Sequence, residues 1–326
     1  MAHGAGGRLM NELISSMFRA TFGMPEPAHD AAVLPVRTGP IALTTDSYVV
    51  SPLVFPGGSI GSLAVNGTVN DLAMAGARAC YLTLGVIAEE GLPMASLWHE
   101  VQAIQAAARA VDVRIVTGDI KVVERGKGDQ LYLNTAGVGF VSHDVRISPS
   151  EIRASDCVLV SGDVGRHGVA VMVAREGLHL EEPLQSDCAP LLAPVMDLLD
   201  HGVRVHCLRD LTRGGLATAL CELADAAQAR IEIHESALEV IPSVQSVCDL
   251  LGLDPFYVAN EGRFVAVVHP DDGERALQRL RQHAVSAGAR RIGSVSAGRS
   301  EVVARTRLGT ARVLDMLVGA QLPRIC

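Results

Sequence analysis

A cysteine closes the sequence, in Leu322-Pro323-Arg324-Ile325-Cys326, and a thiol on the last residue is the most freely placed nucleophile a chain can carry. Chain ends are seldom held unless something docks them, and Pro323 stops a preceding helix from running on through Arg324 and Ile325. Cys326 is therefore expected to travel and can be a substrate as well as a part; the alternative is that, of seven cysteines, one simply falls last. A second set of candidate residues is acidic: His29-Asp30, Thr44-Thr45-Asp46-Ser47 and Thr117-Gly118-Asp119 are each read as the end of an apolar strand. A carboxylate there is costly to desolvate unless it meets a cation. Several converging on one cleft suit magnesium bound to a polyphosphate, whereas each alone could simply cap a turn.

Three further segments carry polar groups against apolar backgrounds. Residues 60–75 read as a buried helix through Leu63, Leu72 and Met74, yet Asn66, Asn70 and Asp71 interrupt it, with Asn66 and Asn70 four apart on one face. Buried amides and carboxylates need partners, and Gly67 allows a ligand or a second backbone to come close. The alternative is helix packing with internal hydrogen bonds. Asp210-Leu211-Thr212-Arg213-Gly214-Gly215 leads into a helical face of Leu216, Ala219, Leu220 and Leu223. A glycine turn at a helix start offers free N–H groups to a phosphate, with Arg213 adding charge, or else is a capped helix with Asp210 or Thr212 as its first acceptor. In Ala259-Asn260-Glu261-Gly262, a carboxylate sits in a turn beside the strand-like Phe264 to Val268, a setting that can raise its pKa into the range of a general base. No phosphate-binding loop of the G-x-x-x-x-G-K-[ST] kind, no G-x-G-x-x-G, no H-E-x-x-H and no G-x-S-x-G occurs.

The elements that must position these residues follow from length and pattern. A chain of 326 residues exceeds one core, so two domains are expected; 32 glycines and only 3% aromatic residues favour an α/β chain packed with small and β-branched side chains. Apolar strands alternate with glycine-bounded helices from about 40 to 140, and Ser148-Pro149-Ser150-Glu151 breaks the pattern before a new strand at Cys157 to Ser161. The expected units are 1–148, 149–310, and a terminal helix and tail over 311–326, where Val313, Leu314 and Leu317 fit one helical face. A net charge of −8 without basic runs argues against nucleic acid. No stretch has membrane-spanning length, and the first residues lack the order of a signal peptide, so a cytoplasmic location is expected. Seven scattered cysteines without a C-x-x-C pair speak against a disulfide framework or a zinc knuckle, and the first six read as small buried hydrophobes.

Together these segments resemble the HypE family of carbamoyl dehydratases, in the superfamily of aminoimidazole ribonucleotide synthetase and selenophosphate synthetase. The resemblance runs nearly the whole length: His3-Gly4-Ala5-Gly6-Gly7, Thr45-Asp46-Ser47, Val65 to Ala73, Lys121 to Gly126, Asp210 to Leu216, Tyr257 to Gly262, and the Pro-Arg-Ile-Cys ending. The phosphate-site motifs belong to the whole superfamily; the terminal cysteine selects the family. One departure is Ile120 in Thr117-Gly118-Asp119-Ile120-Lys121, where the family usually has threonine.

The resemblance implies a two-domain aminoimidazole ribonucleotide synthetase-like fold with a flexible tail, the first half dimerising and binding ATP. It implies that a carbamoyltransferase, HypF, loads Cys326, that ATP drives dehydration to a thiocyanate, and that cyanide passes to iron on a HypC–HypD complex. Asp46, Asp71 and Asp119 are then expected to hold Mg2+, Lys121 to assist the phosphoryl group and Glu261 to act as base. Asp30, Asn66, Asp210, Arg213, Gly214 and Gly215, with the three aspartates, would contact nucleotide. A selenophosphate synthetase-like enzyme or small-molecule kinase would use the cleft without Cys326, and a non-enzymatic carrier with a docking tail would need neither the aspartates nor the glycine turn.

Overall fold

The computed structural model describes residues 3, 7–24, 31–35, 37–317, 319, 322, 324 and 325. Asp30 and Cys326 lie outside the described residues. The first half forms a four-stranded sheet in the order Ile41–Tyr48, Leu131–Phe140, Arg78–Glu89, Arg114–Val123, antiparallel except for the last pair. Along Ile41–Tyr48 the even-numbered residues turn inward and the odd-numbered ones outward, the two-residue period of a half-covered strand. The inner face packs on helices Ile60–Met74 and Met94–Ala110; the outer face leaves Ile41 68% and Leu43 74% exposed.

The second half is a seven-stranded sheet ordered Ala311–Leu314, Glu301–Arg305, Arg230–His234, Arg290–Ser296, Cys157–Val160, Phe264–Val268, Val205–Asp210. Its central strands are buried on both faces. Val158, Val160, Val265 and Val267 pack toward helix Gly215–Ala227, while Cys157, Leu159, Phe264 and Ala266 pack toward helices Leu192–Asp200 and Gly273–Leu280. Residues 141–156 join the two sheets and include the turn at Pro149–Glu151.

The terminal helix expected within 311–326 is not formed among the described residues. Ala311–Leu314 is an edge strand, paired antiparallel with Glu301–Arg305 across a turn in which the Thr306 N–H bonds to the Thr310 carbonyl at 2.8 Å and Gly309 takes φ +84°. Val313 and Leu314 therefore point to opposite faces, one exposed and one buried, instead of sharing a helical stripe. The cysteine reading also needs correction: of the six described, Cys157, Cys207 and Cys248 are buried, but Cys80, Cys188 and Cys221 are only partly so.

Helix Ile60–Met74 joins the halves. Its first turn is held by Glu100, whose Oε2 accepts the Gly61 N–H at 2.8 Å, and it ends where Gly76 turns left-handed (φ +74°) and Ala77 bonds back to the Leu72 carbonyl. Its other sides meet strand Val205–Asp210 and helix Leu192–Asp200 of the second half, so it is buried all round and each polar residue must find a partner. Thr68 Oγ1 lies 3.1 Å from the Tyr48 hydroxyl, and Asn70 donates to the Ala189 carbonyl at 3.1 Å and accepts the Leu191 N–H at 2.7 Å.

Candidate active site

Where the halves meet, a cleft of about 200 Å³ is lined by Thr45, Asp46, Gly67 and Asp71 on one side and by Arg209, Asp210, Thr212, Arg213 and Glu261 on the other. Strand alternation turns Asp46 inward between Thr44 and Tyr48. Thr44 donates to Asp71 Oδ2 at 2.8 Å, and Asp46 Oδ1 accepts the Ser47 N–H at 2.8 Å and faces Arg213 at 3.6 Å. A side chain at position 67 would meet the Tyr48 hydroxyl at 2.4 Å, so glycine is what lets strand and helix close up beside the cleft.

Negative charge is crowded here. Burial, then the neighbouring charge of Asp46, raises the pKa of Asp71 against the opposing hydrogen bond from Thr44. Asp210, at the end of its strand and 9% exposed, is pushed up to about 7 by burial and by the charges of Asp71 and Asp46. Burial and Asp46 likewise drive the Tyr48 hydroxyl well above its ordinary value. Hard oxygen donors that repel one another until a cation arrives are the donor set magnesium takes, so Asp46 and Asp71 fit that ion.

Asp119 does not join them. It lies in mid-strand, not at a strand end, in a row Ser47, Asn134, Gly85, Asp119 that runs across the sheet and faces outward, opposite to Asp46. Three strand spacings separate Asp46 from Asp119, roughly 14 Å of backbone, and among the described residues no three His, Cys, Asp or Glu side chains form a metal cluster. The expected three-aspartate site is thus not assembled within one chain. Asp119 Oδ2 pairs with Lys121 Nζ at 3.5 Å in an outer concavity of about 550 Å³ that also holds Ser47, Tyr132 and Asn134. Asn134 links the two regions by donating to the Asp46 carbonyl at 2.9 Å and to Ser47 Oγ at 3.0 Å. Ile120, between Asp119 and Lys121, points the other way, into an apolar pocket with Ile14, Phe18, Phe22 and Met24. A threonine at this position would turn its hydroxyl into that pocket, on the opposite face of the strand from Lys121.

The remaining expected residues fall in three places. Gly214 and Gly215 open helix Gly215–Ala227 with φ +76° and +60°; the Gly215 N–H is taken by the Thr212 carbonyl at 3.0 Å, and a Cβ there would meet the Val258 carbonyl at 2.6 Å. Asn66 points away from the cleft and donates to Cys188 Sγ at 3.5 Å. Glu261 is buried at the cleft in a turn fixed from both sides. Asn260 accepts the Gly165 N–H at 2.7 Å, and the Asp187 carboxylate accepts the N–H groups of Glu261 and Gly262 at 3.3 and 3.1 Å. A Cβ at Gly262 would meet the Asp187 carbonyl at 1.9 Å. Behind the turn, burial opposes ionisation of Asp163, but Arg166 and Arg263 overcome it and hold its carboxyl below the usual range. Arg209, Tyr48, Asn134 and Asp187 were not singled out from sequence; none carries a motif, and each joins the site through strand register or a long loop.

The tail is partly in view. Ile325 is 4% exposed in the core of the first half, its carbonyl 2.9 Å from His167 Nε2. The Arg324 carbonyl accepts the Ser51 N–H at 3.3 Å and a bond from Arg175, and its guanidinium meets Asp129 at 3.2 Å.

This two-layer arrangement, with a cleft between unlike halves, is that of the aminoimidazole ribonucleotide synthetase-related proteins: their N-terminal domain model matches residues 28–141 and their C-terminal domain model residues 153–305. Within that class the resemblance is specific. The carbamoyl dehydratase HypE of Bradyrhizobium diazoefficiens is 47% identical over 100% of this chain and 95% of its own. A crystal structure of the hydrogenase maturation protein HypE in complex with ATP superposes with TM-score 0.96 at 45% identity, covering 100% of this chain and 99% of the other. In a HypE–HypF complex, the matching chain gives TM-score 0.83 at 41% identity over 95% of this chain and all of that one. The chain belongs to the HypE family of carbamoyl dehydratases.

Proposed function

We propose that this chain, in the cytoplasm, uses ATP to dehydrate a carbamoyl group carried on the Cys326 thiol to a thiocyanate, supplying cyanide for the iron centre of a [NiFe] hydrogenase. The observation that carries the reading is the cleft in which Asp46 and Asp71 face Arg213 and the Asp210–Gly215 turn, with Glu261 fixed at its wall. An amide oxygen is a poor leaving group. Transfer of the γ-phosphoryl group of ATP to the thiocarbamate oxygen, with loss of one N–H proton, makes a C=N bond. Loss of the second N–H proton then expels phosphate and leaves S–C≡N, ADP and phosphate. Glu261 is assigned to accept a proton, because its backbone is clamped by Asp187 while its carboxylate reaches the cleft. Arg213 is assigned to the polyphosphate, and the helix that begins at Gly215 presents the positive end of its dipole to the same place. Magnesium, held by Asp46 and Asp71, would neutralise charge on the transferring phosphoryl group.

Asp119 and Lys121 belong to this reading through a homodimer. The outer face that carries them also exposes Ile41, Leu43 and Ile87, and a second copy covering that face would enclose both side chains. The carbamoyl donor is HypF and the acceptor the iron-bearing HypC–HypD complex, so the tail must leave its docked position at both ends of the cycle. Intact mass of the protein after incubation with the carbamoyltransferase, carbamoyl phosphate and magnesium ATP tests the scheme: a carbamoyl adduct on Cys326 that then loses water is expected. An adduct that never loses water would refute it.

A further inference from the structure

His167 is fully buried, on helix Arg166–Glu176, with its ring edge against Phe55, and the reaction gives it no role. Its two nitrogens have different partners: Nε2 lies 2.9 Å from the Ile325 carbonyl and Nδ1 2.8 Å from Ser186 Oγ. A carbonyl can only accept, so Nε2 carries the hydrogen. Burial depresses the imidazole pKa against the opposing charge of Asp187, so the ring is neutral and Nδ1 is an acceptor. The Ser186 hydroxyl must then donate to Nδ1, while its oxygen accepts the Cys188 N–H at 3.0 Å. Each atom in this line has one consistent role, and the tautomer that serves the tail is the one Ser186 enforces.

Ser186 is followed by two residues that contact the elements framing the cleft. Asp187 binds the N–H groups of Glu261 and Gly262, and Cys188 takes the Asn66 amide of the helix that carries Asp71. We propose that His167 is the positioning residue of the carboxyl-terminal tail: its Nε2–H fixes the Ile325 carbonyl, and the Ser186-Asp187-Cys188 segment ties the docked tail to the turn that presents Glu261. The proposal deepens the dehydratase reading and rests on it for its catalytic consequence, whereas the docking itself does not. With the tail out, the Nε2–H would be buried without its acceptor, which biases the equilibrium inward.

The test uses the full-length, unmodified protein without nucleotide, digested with a carboxypeptidase and followed by intact mass. In His167→Phe, removal of Cys326 and Ile325 should proceed about tenfold faster than in the wild type, the population shift that loss of one hydrogen bond of about 1.4 kcal/mol produces. His167→Gln, which keeps a donor for the carbonyl and an acceptor for Ser186, should restore protection to within about threefold. Equal digestion of wild type and His167→Phe, or of Phe and Gln variants, overturns the anchor. If the Phe variant does not fold, as judged by circular dichroism, Ser186→Ala replaces it; that change frees the tautomer and should raise digestion about threefold, and no change there would likewise overturn the proposal. The second arm loads the thiol with the carbamoyltransferase and follows one turnover. Loading of His167→Phe should match or exceed wild type while dehydration slows about tenfold; unchanged dehydration with a released tail refutes the link to Glu261. Failure of the wild type itself to dehydrate would refute the function and leave the anchor standing.

Discussion

Replacing Asp210 by asparagine should make the nucleotide-free protein more stable above neutral pH. Asp210 ends strand Val205–Asp210 and is pushed from 3.8 to about 7 by burial, Asp71 and Asp46. The rise of about 3 pKa units, at about 1.4 kcal/mol each, sets an upper bound of about 4 kcal/mol on what ionisation of this group costs the folded state. Its sign follows from proton binding. Between about pH 4 and pH 7 the folded chain holds a proton that the unfolded chain has lost, so this contribution is fully present below pH 4 and is lost as pH rises through 7. Other groups titrate in the same range, and the difference between wild type and Asp210→Asn reports this carboxylate together with its coupling to Asp71 and Asp46. Urea midpoints measured from pH 5 to pH 8 without nucleotide should give a difference curve that moves in favour of the variant by up to about 1.4 kcal/mol per pH unit and levels off near pH 8. Magnesium should flatten the wild-type curve, because a cation between Asp46 and Asp71 offsets the charge that disfavours ionisation. A flat difference curve, or one that favours the wild type at pH 8, would show that Asp210 is not strained by its neighbours and that the cleft has no deficit of positive charge.

Three further outcomes are expected. Cys326→Ala should retain its urea midpoint yet show no thiocyanate adduct by intact mass. Asp71→Asn, which keeps shape and removes charge, should still be carbamoylated by the partner but lose ATP-dependent dehydration; full turnover at limiting magnesium would make Asp71 a packing residue. Asn70→Leu should cost about 2–4 kcal/mol in urea denaturation, because it strands the Leu191 N–H and the Ala189 carbonyl at the junction of the halves.

What the sequence revealed of the site was its chemistry, and what it hid was register. Asp46, Asp71, Asp210, Arg213 and Glu261 stood out because charged residues interrupt apolar runs, and all five line the cleft. Asp119 stood out for the same reason yet faces the other way. Its direction depends on counting residues through three paired strands and past an irregularity between Leu82 and Thr83, which no local pattern reveals. The strand Ala311–Leu314 was misread because a run of four residues carries too few periods to separate 2.0 from 3.6. Asp187, Ser186 and His167 were invisible for a third reason. Each has an ordinary identity in an ordinary loop or helix, and acquires meaning only from the residue it meets across the junction.

That junction also bears on why this architecture suits a dehydration. Removing water from an amide in water runs against mass action, and an activated imidate phosphate would revert if solvent reached it before the second proton left. The burial of Ile325, the clamped turn at Glu261 and the helix buried between both sheets provide surfaces from which water is already excluded. The same burial makes the tail costly to release. Asn66, Thr68 and Asn70 are polar residues in a helix that packing alone would fill with leucine, and each points to a different partner. Asn66 and Asn70 tie this helix to Cys188, Ala189 and Leu191 of the second half through directed bonds, while Thr68 bonds to Thr135 within the first half.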